Sequence, residues 1–115
     1  MRRIGLGEFM SKPHSVPSIL DCMQDWRLTV DQTLTHAARW HGSKTITSRG
    51  ADGILRHSNY HEIMVRSQRL SAALQAAGIK PTDRIATLAM NHSDHVVAWF
   101  GLMNMGVVCH TVNPR

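Results

Sequence analysis

Two pairs of histidines have spacings that could place two metal ligands on one face of a helix. His57 and His61 are four residues apart, and His92 and His95 are three residues apart. However, His57 and His92 each precede the residue at which we expect a helix to begin. No cysteine or carboxylate completes a clear ligand set, and the sequence contains no HExxH motif. We therefore predict no metal site and interpret these histidines as surface or capping residues.

The cysteines offer little other chemistry. Cys22 and Cys109 are the two cysteines of the chain, too few for a disulfide framework. Cys109 lies in a predicted buried strand without an adjacent base, so we interpret it as an inert thiol rather than a nucleophile. Cysteine usage of this kind is typical of a reduced compartment, and we predict a cytoplasmic location. No residue of the chain is predicted to be catalytic or to bind a cofactor.

The chain is basic, with 13 Lys and Arg against 8 Asp and Glu among 115 residues. A basic balance is typical of nucleic-acid binding, but here the basic residues are spread over several predicted elements. No helix-turn-helix, KH or RRM motif is present, and an aromatic content of 5% is low for a stacking platform. We expect no nucleic-acid partner, and a small basic nucleic-acid-binding protein is the least favoured alternative. A hydrophobic content of 43% excludes a disordered chain.

The first half of the foldable chain predicts a helix followed by a hairpin. Apolar residues recur at helical spacing over 29–41, and Gly42 is expected to end this helix in a left-handed conformation. Residues 44–48 and 53–57 predict the two strands of a hairpin, joined by a loop that contains two glycines.

The strongest helical signal covers residues 60–77. Asn59 is a favourable N-cap, and Glu62 stands at the third helical position, as in a capping box. Gly78 is expected to end the helix.

The last third of the chain predicts a βαβ unit. Residues 84–90 and 107–112 are apolar enough to be buried strands, and residues 94–105 form the helix between them, capped by Asn91 or Ser93. The fold class is therefore α/β, with a β-hairpin, a βαβ unit and about three helices for a mixed sheet of about four strands.

The helix over 94–105 is apolar around most of its circumference, so it must be covered on nearly all sides. Its apolar run is too short for a membrane span, and we predict none. The sequence reaches Arg115 directly after the second buried strand. We therefore expect it to be an incomplete part of a larger α/β protein, or to dock on another surface. Residues 1–22 contain two prolines and no periodicity, which predicts a flexible N-terminal arm before a partial domain over 23–115.

Several segments together resemble one enzyme family. Residues 83–92 (DRIATLAMNH) and 105–115 (MGVVCHTVNPR) resemble the N-terminal region of AMP-forming acyl-CoA synthetases, in the medium- and long-chain fatty-acid–CoA ligase branch. Residues 36–42 (HAARWHG) and the helix that begins at Asn59-Tyr60 are similar to earlier segments of that region. Thr82 departs from the family, which often has glycine in this turn.

The resemblance implies a reaction of ATP, a fatty or other carboxylic acid and coenzyme A that yields acyl-CoA, AMP and pyrophosphate, with Mg²⁺. In the family, the Ser/Thr/Gly-rich phosphate loop and the catalytic lysine lie downstream, and the sequence contains no such loop. The resemblance therefore implies an N-terminal fragment that binds no cofactor and is inactive alone. A stand-alone interaction module, forming a homodimer or docking on a full-length ligase, is the alternative.

Overall fold

Three helices and four short strands follow one another along residues 28–114, the part of the chain that this computed structural model describes. The predicted arm over 1–22 lies outside the described residues. The elements are α1 (Val30–His41), β1 (Thr45–Arg49), β2 (Leu55–Asn59), α2 (Tyr60–Ala76), β3 (Arg84–Leu88), α3 (Ser93–Met103) and β4 (Val108–Val112).

The strands form two separate sheets of two strands each in residues 28–114. β1 and β2 are antiparallel, with Thr45 opposite Asn59, and form the predicted hairpin. β3 and β4 are parallel neighbours joined through α3, as the βαβ prediction requires. The α/β class is thus confirmed, but the expectation of one mixed sheet of about four strands is wrong. Hydropathy indicates where strands lie, whereas their pairing depends on how the helices between them pack.

Local sequence signals set both ends of α2 as predicted. The side-chain oxygen of Asn59 accepts a hydrogen bond of 2.9 Å from the Glu62 amide. At the other end Gly78 adopts φ +91°, and the Ile79 amide donates to the Leu74 carbonyl, which closes a Schellman motif.

Gly42 ends α1 as predicted, but its predicted left-handed conformation is wrong, and so is the predicted cap of α3. Gly42 has φ −52°, which is right-handed, and a Cβ at this position would collide with the Ala38 carbonyl. Glycine is therefore required at position 42 for close backbone approach and not for a left-handed turn. α3 is capped by His92, whose side chain makes no capping hydrogen bond, instead of Asn91 or Ser93.

Within the described residues, two apolar clusters hold the elements together. The first takes one buried side chain from each helix, Leu34, Ile63 and Val97. The second joins the end of α3 to the strand that follows it, through Leu102 and Val107. Within residues 28–114, no helix combines the length and apolar content that crossing a lipid bilayer requires.

The strands of the βαβ unit are less buried than predicted. In β3, Ile85 and Thr87 are half-buried, while Arg84, Ala86 and Leu88 are exposed. The expectation of strands buried on both faces is therefore wrong for the described residues. The reason is that α3 packs on one face only, so the alternate residues of each strand face solvent.

The turn before β3 carries backbone strain at Thr82. Lys80 to Asp83 form a turn closed by a 3.2 Å hydrogen bond from the Asp83 amide to the Lys80 carbonyl, and Thr82 has φ +74°. This is the third position of a type II turn, which favours glycine, and a β-branched residue there is strained. The departure noted in the sequence thus stands at a position where glycine is physically preferred.

We expect Thr82→Gly to raise the free energy of unfolding by about 0.5–1 kcal/mol. Relief of roughly 1–2 kcal/mol of left-handed strain exceeds the greater chain entropy that glycine gives the unfolded state. Urea unfolding monitored by circular dichroism measures the change. Thr45→Gly, in the regular strand β1, is the control and should lower the free energy of unfolding. If Thr82→Gly lowers it by the same amount, the backbone at Thr82 is not strained.

Candidate functional site

A cleft of about 490 Å³ opens where the parallel strands β3 and β4 end. In open parallel sheets, ligand sites lie beyond the carboxyl ends of the strands, so this cleft is a candidate ligand site. The cleft lies between the segment that follows β3, the first turns of α3 and the end of β4. Its apolar walls include Met90, Trp99 and Val112, and its polar walls include Asn91, His95 and Asn113.

His95 ties α3 to β3 at the side of this cleft. Its Nε2 lies 3.0 Å from the hydroxyl of Thr87 and accepts a 3.1 Å hydrogen bond from the indole N–H of Trp99. Because an indole N–H can only donate, Nε2 must be unprotonated, which places the imidazole proton on Nδ1. The two rings meet edge to face, with centroids 5.3 Å apart. These contacts orient the side chains of His95 and Trp99 relative to each other.

The chemistry of this cleft is hydrogen bonding and apolar contact. Among the described residues, its walls contain no Lys, Arg, Asp or Glu side chain. Phosphate groups require cationic or clustered amide donors, and Mg²⁺ requires oxygen ligands such as carboxylates. The residues that line the cleft therefore do not fit the phosphates of ATP or their metal ion.

A second cleft, of about 500 Å³, lies between the hairpin loop and the start of α3 and is charged. Arg56 donates to both carboxylate oxygens of Asp52, at 3.0 Å for one pair of atoms. This side-chain hydrogen bond, with help from the Ile54 amide, lowers the pKa of Asp52 to about 2. The hydroxyl of Ser48 donates to that of Ser93 at 3.1 Å and links the hairpin to α3. Because the charges pair with one another, they hold the loop in place.

A second ion pair links α2 to the first turn of α3. The Arg66 guanidinium donates to Asp94 Oδ1 at 2.6 Å, and it lowers the pKa of that carboxyl below its ordinary 3.8. A carboxyl with a lowered folded-state pKa contributes stability above its unfolded pKa and loses it as the pH falls through the folded value.

We expect Arg66→Gln to raise the pKa of Asp94 and to destabilise the fold by less than about 1 kcal/mol at neutral pH, since the pair is exposed. The difference in the free energy of unfolding between the variant and the wild type should vanish in acid, once Asp94 is protonated in both proteins. NMR titration of the carboxyl and urea unfolding at two pH values test this. Arg69→Gln, on the same helix, should leave the Asp94 pKa unchanged; a shift of the same size would contradict the pairing.

The structure places the predicted histidine pairs in separate surroundings. His57 lies on β2, where its Nδ1 is 3.1 Å from the Thr47 hydroxyl, and His61 lies on α2. His92 is the N-cap residue of α3 and precedes the helical His95. Across the described ranges, no three His, Cys, Asp or Glu side chains come together as a metal site would require.

The alignment of these elements with known proteins identifies the family. The family model described as AMP-binding enzyme matches residues 34–115, which include all of the βαβ unit. The chain belongs to the AMP-binding enzyme family. It is 36% identical over 110 residues to a 3-methylmercaptopropionyl-CoA ligase of Ruegeria lacuscaerulensis, covering 96% of this chain and 18% of that relative. It is 40% identical over 93 residues to a long-chain-fatty-acid–CoA ligase of Thermus thermophilus, covering 81% of this chain and 17% of that relative.

Solved structures show the same fold. The fatty acid AMP ligase from Legionella pneumophila matches 75% of this chain and 15% of its own, with a TM-score of 0.67 and 20% identity. The NpsA N-terminal subdomain from Klebsiella oxytoca matches 76% of this chain with a TM-score of 0.64 and 20% identity. The resemblance to AMP-forming acyl-CoA synthetases is thus confirmed, and this chain spans less than a fifth of the length of the two ligases named above.

Proposed function

We propose that this chain is part of the N-terminal domain of an AMP-forming acyl-CoA ligase, and that it supports an active site made by other residues. The observation that carries the proposal is the βαβ unit within residues 34–115, which matches the AMP-binding enzyme family. The two named relatives are acyl-CoA ligases, which supports a carboxylic acid as the substrate, with ATP and coenzyme A as co-substrates. We also propose a cytoplasmic location, in keeping with the free thiol of Cys109.

The 115 residues alone are inactive under this proposal. Adenylate formation places negative charge on phosphate oxygens and requires preorganised donors or cations around them. The sequence contains no Ser/Thr/Gly-rich phosphate loop, and the two clefts contain either neutral walls or charges that already pair with one another. The role of this segment is to position strands and helices, not to bind nucleotide.

A chimera tests the proposal. The segment of the Thermus thermophilus ligase that matches this chain is replaced by the corresponding residues of this chain, and carboxylate-dependent ATP–pyrophosphate exchange is measured. We expect the folded chimera to retain exchange within about tenfold of the parent ligase, a cost of about 1.4 kcal/mol. The isolated 115-residue chain should show no exchange above the blank.

Two results would overturn the proposal. One is exchange catalysed by the isolated chain, which would place the active site within these residues. The other is a chimera that unfolds cooperatively like its parent but has lost exchange, which would mean that this segment does not replace its counterpart. The parent ligase with the matching segment deleted serves as the control and should be inactive.

A further inference from the structure

One ring nitrogen of His95 makes two contacts, and only one of them is compatible with a protonated ring. Nε2 accepts a hydrogen bond of 3.1 Å from the indole N–H of Trp99 and lies 3.0 Å from the Thr87 hydroxyl oxygen. Protonation of the imidazole leaves no lone pair on Nε2, which can then only donate. A hydroxyl both donates and accepts, so Thr87 can accept from the charged ring, whereas the indole N–H cannot. The charged ring therefore keeps Thr87 and loses Trp99.

Trp99 lies at the boundary of two spaces. It lines the cleft of about 490 Å³ beyond β3 and β4, which we call the neutral cleft, and it also lines a smaller recess of about 240 Å³. Met103 and Cys109 line the recess as well. Because Trp99 is 41% exposed, packing alone does not enclose its ring. The hydrogen bond to His95 therefore helps to hold the indole between the two spaces.

The walls of the neutral cleft isolate His95 from other charges. Within residues 28–114, these walls contain no Lys, Arg, Asp or Glu side chain. On the strands, Arg84 and His110 occupy positions that alternate to the face opposite Thr87. Cys109 is on the same face as Thr87 but lines the recess. Among the described wall residues, His95 is therefore the side chain that a change of pH near neutrality can charge.

The charged groups near the start of α3 are engaged with one another. Asp94 accepts a hydrogen bond from Arg66 of α2 and lies 3.8 Å from His92 Nδ1, and in the hairpin loop Asp52 accepts from Arg56. The guanidinium hydrogen bonds lower the pKa of both carboxyls, so both stay charged near neutral pH. His92 is the neighbouring group that titrates in the same range as His95, and it supplies the control below.

We propose that the His95–Trp99 hydrogen bond is a pH-dependent switch that joins or separates the neutral cleft and the recess. With a neutral imidazole, the bond holds the indole at the boundary of the two spaces. With a charged imidazole, Nε2 donates to Thr87, the indole N–H turns to water, and the recess opens into the cleft. The charged ring also adds a cation to a wall that otherwise has none. The switch consists of residues of this chain alone and does not depend on the proposed function.

Acrylamide quenching of Trp99 fluorescence measures the release. Trp26→Phe and Trp40→Phe leave Trp99 as the single tryptophan of the 115-residue chain. We expect the quenching constant to rise about twofold between about pH 8 and about pH 5, the range in which histidines titrate, as the 41% exposed indole moves into solvent. Circular dichroism over the same range follows the folded state.

Two substitutions assign the response to His95. His95→Gln keeps an acceptor for the indole N–H but cannot be protonated, so the quenching constant should be the same at both ends of the pH range. His92→Gln removes the neighbouring histidine of α3 and should keep the full response. A further measurement needs no substitution at either histidine, since ¹⁵N NMR of the His95 ring should show the proton on Nδ1 at the upper end of the range and on both nitrogens at the lower end.

Several results would overturn the switch. They are a His95 ring that carries its neutral-state proton on Nε2, a ring that stays neutral over the whole range or is charged only after the fold is lost, and a protonated ring with no change in Trp99 quenching. Equal responses in His95→Gln and His92→Gln would also overturn it. None of these results bears on ATP–pyrophosphate exchange by the chimera, so the proposed function is tested separately.

Discussion

Replacing Ile63 with alanine is expected to lower the free energy of unfolding by about 3 kcal/mol. Ile63 has no exposed surface, and it packs between Leu34 of α1 and Val97 of α3 in the cluster that joins the three helices. Truncation removes three buried carbons and leaves a cavity, and partial collapse of the neighbouring helices decides where within roughly 2–5 kcal/mol the loss falls. Urea unfolding monitored by circular dichroism gives the value.

Ile54→Ala is the matched control for this substitution. Ile54 is 58% exposed in the hairpin connection, so the same chemical change should alter stability by no more than about 0.5 kcal/mol. Equal losses at the two positions would mean that the three-helix cluster does not form in solution.

Gly101→Val is the second substitution with a large expected effect, a loss of about 2 kcal/mol from overpacking. At the crossing of α2 and α3, a Cβ on Gly101 would lie 2.9 Å from Leu70 Cδ2 and 3.2 Å from its Cβ. The helices are also held at this distance by Ser71, whose hydroxyl donates to the Gly101 carbonyl at 2.6 Å. A branched side chain would force them apart and break that hydrogen bond.

Gly101→Ala separates the packing effect from backbone propensity. Alanine gains roughly 0.8–1 kcal/mol of helix propensity over glycine, and this offsets most of the cost of moving the flexible end of Leu70. We expect a net change near zero for alanine and a clear loss for valine, measured by the same unfolding experiment. A loss for alanine as large as that for valine would contradict the account based on side-chain volume.

The helix crossing matters for the proposed function because α3 orients the parallel strands. Ser67 is fully buried and donates to the Val97 carbonyl at 3.2 Å, one turn from the contact at Gly101. Together these contacts fix α3 against α2, while His95 fixes it against β3. These contacts therefore set the position of the cleft that opens where β3 and β4 end.

Some of the side-chain contacts at the site could be predicted from the sequence. His95 and Trp99 are four residues apart on a helix, and this spacing predicts contact between their side chains. The contact of His95 with Thr87 could not be predicted from the sequence, since it depends on where α3 packs against β3. The same holds for Arg66 and Asp94, which are 28 residues apart in the chain.

The sequence by itself determined the order and the kinds of the elements, both ends of α2, the parallel βαβ unit and the family. The ends of α2, for example, follow from local chemistry. The side-chain amide of Asn59 and the glycine at position 78 each act within one turn of the helix. Only the tertiary structure decided that the strands of residues 28–114 form two sheets, that Gly42 serves close backbone approach, and that one face of β3 and β4 is exposed within those residues. Those outcomes depend on which elements pack against each other. Hydropathy predicts that a residue is buried, but it does not predict which part of the chain packs against that residue.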